Sequence, residues 1–133
     1  MTREARVAIN REPDIIVARQ QGRDIAVELG FSRGELALIA TAISEITRNV
    51  IAYATRGEMT MRVVQDGARR GVEIVVQDEG PGIADLPQAM QDGYSTGGGL
   101  GLGLPGARRL MDEFAIESTV GRGTRVVMRK WMK

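Results

Sequence analysis

The chain contains no cysteine and no histidine among its 133 residues. Without cysteine it has no disulfide, no thiolate metal site and no thiol nucleophile. Without histidine it has no imidazole general base, no zinc–histidine site and no residue that could form a phosphohistidine intermediate. Any chemistry that this chain performs must therefore come from its other polar side chains or from its backbone.

The chain also lacks an excess of charge of one sign and a long apolar run. Its 18 basic and 17 acidic residues give a net charge of +1, which does not indicate binding to nucleic acid or to a membrane surface. No stretch approaches about 18 uninterrupted apolar residues, and residues 1–6 contain no apolar signal region. We therefore expect a cytoplasmic protein, one domain over residues 1–133, that binds neither nucleic acid nor membrane.

The spacing of apolar residues and of helix and strand breakers predicts the element order βααββαββ. The predicted strands cover residues 6–10, 59–64, 72–78, 115–120 and 124–131, and the predicted helices cover residues 14–29, 32–54 and 107–114. Ser32 and Glu35 form a capping-box pattern before the second helix, whose apolar residues follow a spacing of three and four. Gly22 lowers the helix propensity of the first helix by up to about 1 kcal/mol. Together the elements predict one α+β sandwich, a sheet with helices on one face.

Glycine is concentrated in residues 97–103, where five of seven residues are glycine. Such a run is unfavourable in regular packed structure, but it suits a backbone that must approach a ligand closely. A helix that begins just after the run would offer unpaired N–H groups and a partial positive charge, which suit phosphate. No lysine stands in or just after the run, so it is not a P-loop. The pattern indicates a nucleotide site, preceded by a long loop over residues 79–99.

Glu45 and Asn49 lie four residues apart on the second predicted helix and therefore on neighbouring turns of one face. An amide oxygen is a suitable ligand for Mg²⁺, which takes its other ligands from water and phosphates. A carboxylate one turn away can orient or deprotonate an attacking hydroxyl or water. A solvated pair on a surface helix has the same spacing, so the spacing leaves both interpretations open.

Asp78 ends a buried apolar strand and is followed by Gly80 and Gly82. A carboxylate at this point can accept a hydrogen bond from an exocyclic amine such as that of adenine, and the glycines allow the ring to approach the backbone. Thr124, which follows Gly121 and Gly123, is a second candidate for contact with a base, either directly or through water. A plain turn and a strand-initiating threonine are the alternatives.

Taken together and in this order, the four motifs resemble the N, G1, G2 and G3 boxes of the Bergerat-fold (GHKL) ATPases. This superfamily includes histidine-kinase catalytic domains, gyrase and MutL. The resemblance runs from residue 45 to residue 124 in motifs and covers the whole predicted element order. It implies a two-layer α/β sandwich with a mixed, mostly antiparallel sheet and three helices on one face.

The resemblance also implies a role for each matching residue. Asn49 would be the Mg²⁺ ligand, Asp78 the adenine acceptor, and Gly80 and Gly82 would shape the adenine pocket. Residues 83–100 would be the ATP lid, and Glu45 would be the general base for a hydroxyl of a partner protein. The remaining implied cofactor-binding residues are those of the phosphate cradle and of the last box: Gly99, Leu100, Gly101, Leu102, Gly103 and Thr124.

Within the superfamily, the chain lacks the dimerisation helix and the phosphoacceptor histidine of a complete histidine kinase. Residues 92–96 and 101–114, together with Lys130 and Trp131, resemble the switch serine/threonine kinases of the bacterial stressosome. That resemblance implies MgATP-dependent phosphorylation of serine or threonine on STAS-domain partners. The released kinase would then bind and activate a downstream phosphatase or other effector protein.

Two alternatives are left open by the sequence. An anti-sigma-factor kinase shares the same boxes, but it often carries a histidine shortly after the asparagine of the N box, where this chain has Ile51, Ala52 and Tyr53. A non-catalytic module, in which nucleotide only tunes partner affinity, would keep the boxes without the transfer reaction. Neither the substrate protein nor the oligomeric state is specified by these motifs.

Overall fold

The computed structural model describes residues 4–54, 56–82 and 103–132. These residues form eight helices and strands in the predicted order βααββαββ, which is confirmed. The elements are β1 (Glu4–Ile9), α1 (Pro13–Leu29), α2 (Arg33–Tyr53), β2 (Gly57–Asp66), β3 (Arg69–Asp78), α3 (Gly103–Leu110), β4 (Glu113–Thr119) and β5 (Gly123–Trp131).

The described strands form one sheet in the order β1-β2-β3-β5-β4, and all four pairings between them are antiparallel. Helix α1 packs on β1 and β2, helix α2 packs on β3, and α2 contacts both α1 and α3. The sheet side chains below the helices, such as Met61, Ile74 and Met128, are fully buried. The predicted two-layer α+β sandwich is therefore confirmed, with a sheet that is antiparallel throughout the described strands.

Helix α2 is the central helix of the helical layer. Its N-terminus is closed by the predicted capping box, in which the Glu35 backbone N–H donates to Ser32 Oγ and the Ser32 N–H donates to the Glu35 carboxylate. The whole predicted stripe is buried: Leu36, Ile39, Ile43, Ile46 and Val50. In the described part of the chain, α2 alone is long and apolar enough to span a membrane, and half of its apolar window is buried inside the fold. Its apolar composition thus matches its place in the core.

Gly22 lies where α1 packs tightly against α2 and the sheet. A Cβ atom at this position would overlap the Ile43 Cδ1 methyl group and would lie 3.1 Å from Met61 Sδ. Helix α1 runs unbroken through Gly22 to Leu29 and is capped by Gly30, whose φ of 106° is the left-handed conformation of a C-terminal cap. The glycine that lowers helix propensity thus allows the close approach of the two helices.

The third helix differs from its predicted boundaries of residues 107–114. It begins four residues earlier, at Gly103. Pro105 fits into its first turn because backbone nitrogens there have no intrahelical acceptor. It ends at Leu110, whose carbonyl accepts a hydrogen bond from Lys130 Nζ at 3.0 Å. Phe114 lies instead in β4, opposite Met128 of β5. The β2–β3 turn is also shorter than predicted, because strand pairing continues to Asp66 and Arg69.

The sheet face opposite the helices carries a row of alternating charges across all five strands. The backbone register places Glu4 opposite Arg62, Arg62 opposite Glu73, Glu73 opposite Arg129, and Arg129 opposite Glu113. Opposite charges that face each other directly across antiparallel strands stabilise the pairing. We call this row the charge ladder.

Glu73 is the centre of the charge ladder and is only 6% exposed. Arg62 Nε donates to Glu73 Oε1 at 3.0 Å, and Arg129 Nε donates to Glu73 Oε2 at 2.8 Å. Burial alone would raise the pKa of the Glu73 carboxyl, but the hydrogen bonds from Arg129 and Arg62 outweigh it and hold this pKa below its ordinary value. Glu73 therefore stabilises the fold in its ionised form.

We expect Glu73→Gln to lower the free energy of unfolding at pH 7 by about 1 kcal/mol, because two charge-assisted hydrogen bonds are weakened while both arginines keep access to water. A carboxyl with a lowered folded pKa contributes stability above its unfolded pKa, about 4.3, and loses it as the pH falls through the folded value. The difference between variant and parent, measured by urea unfolding, should therefore shrink below about pH 4.

The matched control is Glu58→Gln on the same sheet face, where the Glu58 side chain is 50% exposed and Arg6 lies 3.8 Å from it. This exposed pair should contribute little, so the control should unfold close to the parent. Equal destabilisation by the two variants would show that burial of Glu73 in the charge ladder has no special effect.

Candidate functional site

One carboxylate oxygen joins the end of β3 to the start of β5. Asp78 Oδ1 accepts a hydrogen bond from the Gly80 backbone N–H at 2.9 Å and another from the Thr124 backbone N–H at 3.1 Å. The second bond links residues 46 positions apart in the chain. Asp78 Oδ2 makes no hydrogen bond with the residues that the structure describes, so this oxygen remains an acceptor for a ligand.

Gly123 makes the approach of β5 to Asp78 possible. Its φ is +122°, and a Cβ atom there would overlap the Asp78 carbonyl oxygen and lie 3.2 Å from Asp78 Oδ1. Both the backbone conformation and the absence of a side chain are therefore required. The glycine of the predicted last box is thus explained by the contact between the ends of β3 and β5.

Gly80 and Gly82 also lie in tight packing. A Cβ atom on Gly80 would lie 2.8 Å from Ala54 Cβ, at the end of α2. Gly82 has a φ of +79°, and a Cβ atom on it would lie 2.8 Å from the Thr119 carbonyl carbon, at the end of β4. The segment after Asp78 is therefore held between the end of α2 and the β4–β5 turn, and this brings the helix that carries Asn49 to the same edge of the sheet as Asp78.

Ser118 belongs to this cluster although the motifs did not indicate it. Its Oγ lies 2.9 Å from Thr124 Oγ1, and the two residues face each other across β4 and β5. Thr124 is 7% exposed, so its hydroxyl is held inside the fold, and its backbone N–H binds Asp78. Only the register of the β4–β5 hairpin, set by the turn after Thr119, could have indicated Ser118 from the sequence.

Glu45 is buried in the middle of α2, with a relative exposure of 7%. Arg48 Nη1 lies 3.3 Å from Glu45 Oε1, and Asn49 is half-buried on the next turn. An open depression of about 440 Å³ between α1 and α2 is lined by Glu45 and Arg48 on one side and by Arg19 and other α1 residues on the other. A buried carboxylate beside an open depression is unlike the solvated surface glutamate that the spacing also allowed.

The donor set suits a cation that is shared with a nucleotide. No group of three acidic, histidine or cysteine side chains comes together within residues 4–54, 56–82 and 103–132. This part of the chain therefore lacks the clustered ligands needed to bind a cation through side chains of these types alone. Mg²⁺ commonly takes only one or two protein ligands and completes its shell with phosphates and water, and an amide oxygen such as that of Asn49 is chemically suited to this role.

Of the glycine run over residues 97–103, the structure describes only the last residue, Gly103. Gly103 is the first residue of α3, and this short helix packs on α2 through the buried Leu104 and Ala107. The other predicted cradle residues, Gly99, Leu100, Gly101 and Leu102, lie outside the described residues, as does the whole of the predicted lid, residues 83–100. The phosphate cradle therefore stays a prediction.

The chain is similar to known proteins over nearly its whole length. The family described as histidine kinase-like ATPase domain matches residues 10–130, and the chain belongs to this family. The chain is also 47% identical over 133 residues to the serine/threonine-protein kinase RsbT of Bacillus subtilis (strain 168), with 100% of both chains covered. It is 34% identical over 104 residues to the anti-sigma F factor of Clostridium novyi (strain NT), which covers 74% of this chain and 73% of that protein.

A solved structure supports the fold. The mycobacterial sensor histidine kinase MprB superposes with a TM-score of 0.56 at 16% identity and covers 97% of each chain. The predicted membership of the GHKL superfamily is confirmed by these comparisons. The predicted enzyme class, a protein serine/threonine kinase that uses ATP, is confirmed as well.

We expect Asp78→Asn to weaken ATP binding about 10- to 100-fold with little change in thermal stability. The asparagine oxygen can still accept from Gly80 and Thr124, but its amide group cannot accept a hydrogen bond from an adenine amine. Loss of a hydrogen bond to a charged acceptor, typically about 1.5–3 kcal/mol, corresponds to this change. Titration calorimetry with MgATP and thermal unfolding measure the two effects.

The companion variant is Asp78→Ala, which removes both backbone hydrogen bonds and should also lower the melting temperature. ATP affinity of Asp78→Asn equal to that of the parent would show that the second carboxylate oxygen does not bind the base.

Proposed function

We propose that this chain is a MgATP-dependent kinase that phosphorylates a serine or threonine of STAS-domain partners and acts as a partner-switching activator in bacterial stress signalling. The observation that carries the proposal is the buried Glu45 beside an open depression, one helical turn before Asn49. The full-length similarity to RsbT supports the same function. We take residues 1–133 as one domain that works in the cytoplasm.

In the proposed reaction Glu45 is the general base. The hydroxyl of the partner enters between α1 and α2, and Glu45 accepts its proton while the hydroxyl oxygen bonds to the γ-phosphorus of ATP. The bond between that phosphorus and the β–γ bridging oxygen breaks, ADP leaves with the electron pair, and the partner becomes a phosphoserine or phosphothreonine. The released proton then passes from Glu45 to solvent.

The other proposed site residues bind and position the nucleotide. Asp78 accepts the adenine amine, while Gly80, Gly82 and Thr124 form the walls of the base pocket. Asn49 would hold Mg²⁺, which neutralises phosphate charge when bound, and the backbone from Gly99 to Gly103 would donate N–H groups to the phosphates at the start of α3. Catalysis by such a site is mainly positioning and charge stabilisation.

In the proposed switch, the kinase binds either its STAS-domain partner or a downstream effector. Phosphorylation of the STAS-domain partner would lower its affinity for the kinase, and the released kinase would bind a downstream phosphatase or other effector. The similarity to anti-sigma F factors favours sequestration of a sigma factor as a second candidate, although that similarity is lower in identity and covers less of the chain. A pull-down with purified sigma factors separates the two.

The proposal is tested by transfer of labelled phosphate from MgATP to purified STAS-domain proteins from the same genome. We expect label on a serine or threonine of at least one of them. Glu45→Gln should keep MgATP affinity within about twofold of the parent while transfer falls at least about 100-fold, as is typical when a general base is removed.

Asn49→Ala is the companion variant for the metal. It should weaken binding of MgATP far more than binding of ATP in EDTA, because only the metal-bound form needs the amide ligand. Unchanged transfer by Glu45→Gln would remove Glu45 as the base, and an unchanged metal dependence would remove Asn49 as the ligand. MgATP binding without transfer to any STAS-domain protein would favour the sigma-binding or the non-catalytic alternative.

A further inference from the structure

Arg48 contacts the carboxylate that the proposed function uses as its base. Its Nη1 donates to Glu45 Oε1 at 3.3 Å, and the two residues lie three positions apart on α2. The Glu45 side chain is 8% exposed and the Arg48 side chain is 45% exposed. The guanidinium therefore reaches from the solvent side of the helix to a carboxylate that is otherwise enclosed.

The neighbouring hydroxyl groups on α2 are used in another way. Ser44 Oγ donates to the Ala40 carbonyl at 3.0 Å, and Thr47 Oγ1 donates to the Ile43 carbonyl at 2.7 Å. A hydroxyl has one proton to donate, so in this arrangement neither of these groups donates to Glu45. Arg48 supplies a cationic donor to Glu45, and charge-assisted hydrogen bonds are stronger than neutral ones.

The same two residues line the depression between α1 and α2. Arg48 and Glu45 form part of its α2 wall, and Arg19, Gln20 and Arg23 form its α1 wall. With a volume of about 440 Å³ the depression has room for a short segment of a partner protein. Arg48 thus lies beside the route by which a hydroxyl would reach Glu45.

We propose that Arg48 is a positioning residue for Glu45, whose guanidinium fixes the buried carboxylate in the orientation that accepts the proton of a hydroxyl entering between α1 and α2. This inference rests on the proposed function, because it takes Glu45 as the base. Arg48 itself need not touch ATP or the reacting hydroxyl. Its effect is on the rate of transfer, because a misplaced catalytic group can lower the rate about 100-fold.

The experiment compares Arg48→Met and Arg48→Lys with the parent in phosphate transfer from MgATP to the STAS-domain protein that accepts most label. Methionine keeps the length and helix propensity of the side chain without the charge. We expect Arg48→Met to lower kcat about 10- to 100-fold, with the KM for the acceptor and the affinity for MgATP each within about threefold of the parent. Arg48→Lys should recover most of kcat, because an ammonium group can also donate to Glu45.

Dependence on Glu45 is tested in a double-mutant cycle. In a Glu45→Gln background Arg48→Met should change transfer by less than about twofold, since residues that act as a unit are not additive. The matched control is Arg33→Met, which removes an exposed arginine from the first turn of the same helix, outside the depression. This control should leave kcat at the parent value.

Three outcomes would overturn the inference. A raised KM with an unchanged kcat in Arg48→Met would make Arg48 a docking residue, and an equal loss in both Glu45 backgrounds would make its effect independent of the base. An equal loss of kcat in Arg33→Met would show that removing any arginine from α2 has the same effect.

Failure of the proposed function is recognised separately, by MgATP binding without transfer from the parent to any STAS-domain protein. Full transfer in Glu45→Gln removes only Glu45 as the base, and with it the positioning role of Arg48. Hydrolysis of MgATP by water, measured without a partner, would give the same cycle a second readout. We expect the same dependence on Glu45 there, and hydrolysis that is unaffected by Arg48→Met but lost in Glu45→Gln would also overturn the positioning role.

Discussion

The edge of the sheet that carries the candidate site depends on one carboxylate oxygen, Asp78 Oδ1, which accepts two backbone N–H groups from distant parts of the chain. One bond fixes the turn through Gly80 against the end of α2, and the other fixes the start of β5 at Thr124. Gly123 allows this approach because a side chain at its position would overlap the Asp78 carbonyl oxygen. Because Oδ1 accepts both structural hydrogen bonds, Oδ2 is left as an acceptor, and one residue thereby joins the fold to the proposed recognition of adenine.

Helix α2 connects that edge to the proposed reaction. Its apolar stripe anchors it on the sheet, its last turn packs against Gly80, and its middle turns carry Glu45 and Asn49. A rigid, buried helix holds side chains more accurately than a loop would, and this suits catalysis by positioning. The charge ladder on the opposite face stabilises the strands without occupying the face that α1 and α2 need.

The sequence predicted the features that depend on local pattern. The periodicity of α2 and the end of a buried strand at Asp78 follow from neighbouring residues, and both are found as expected. The burial of Glu45 was not predictable, because helical spacing cannot say how closely neighbouring parts of the fold cover that turn. Ser118 was missed because its contact depends on strand register. Phe114 was assigned to a helix because the residues around it do not indicate that it pairs with β5.

The most direct test of the central claim is a crystal structure of the full chain with Mg²⁺ and a non-hydrolysable ATP analogue. The account predicts the exocyclic amine of adenine within about 3 Å of the Asp78 carboxylate, and the amide oxygen of Asn49 among the Mg²⁺ ligands. Glu45 should face the γ-phosphate across a gap that a hydroxyl can enter. Adenine bound away from Asp78, or Mg²⁺ bound without Asn49, would contradict the account.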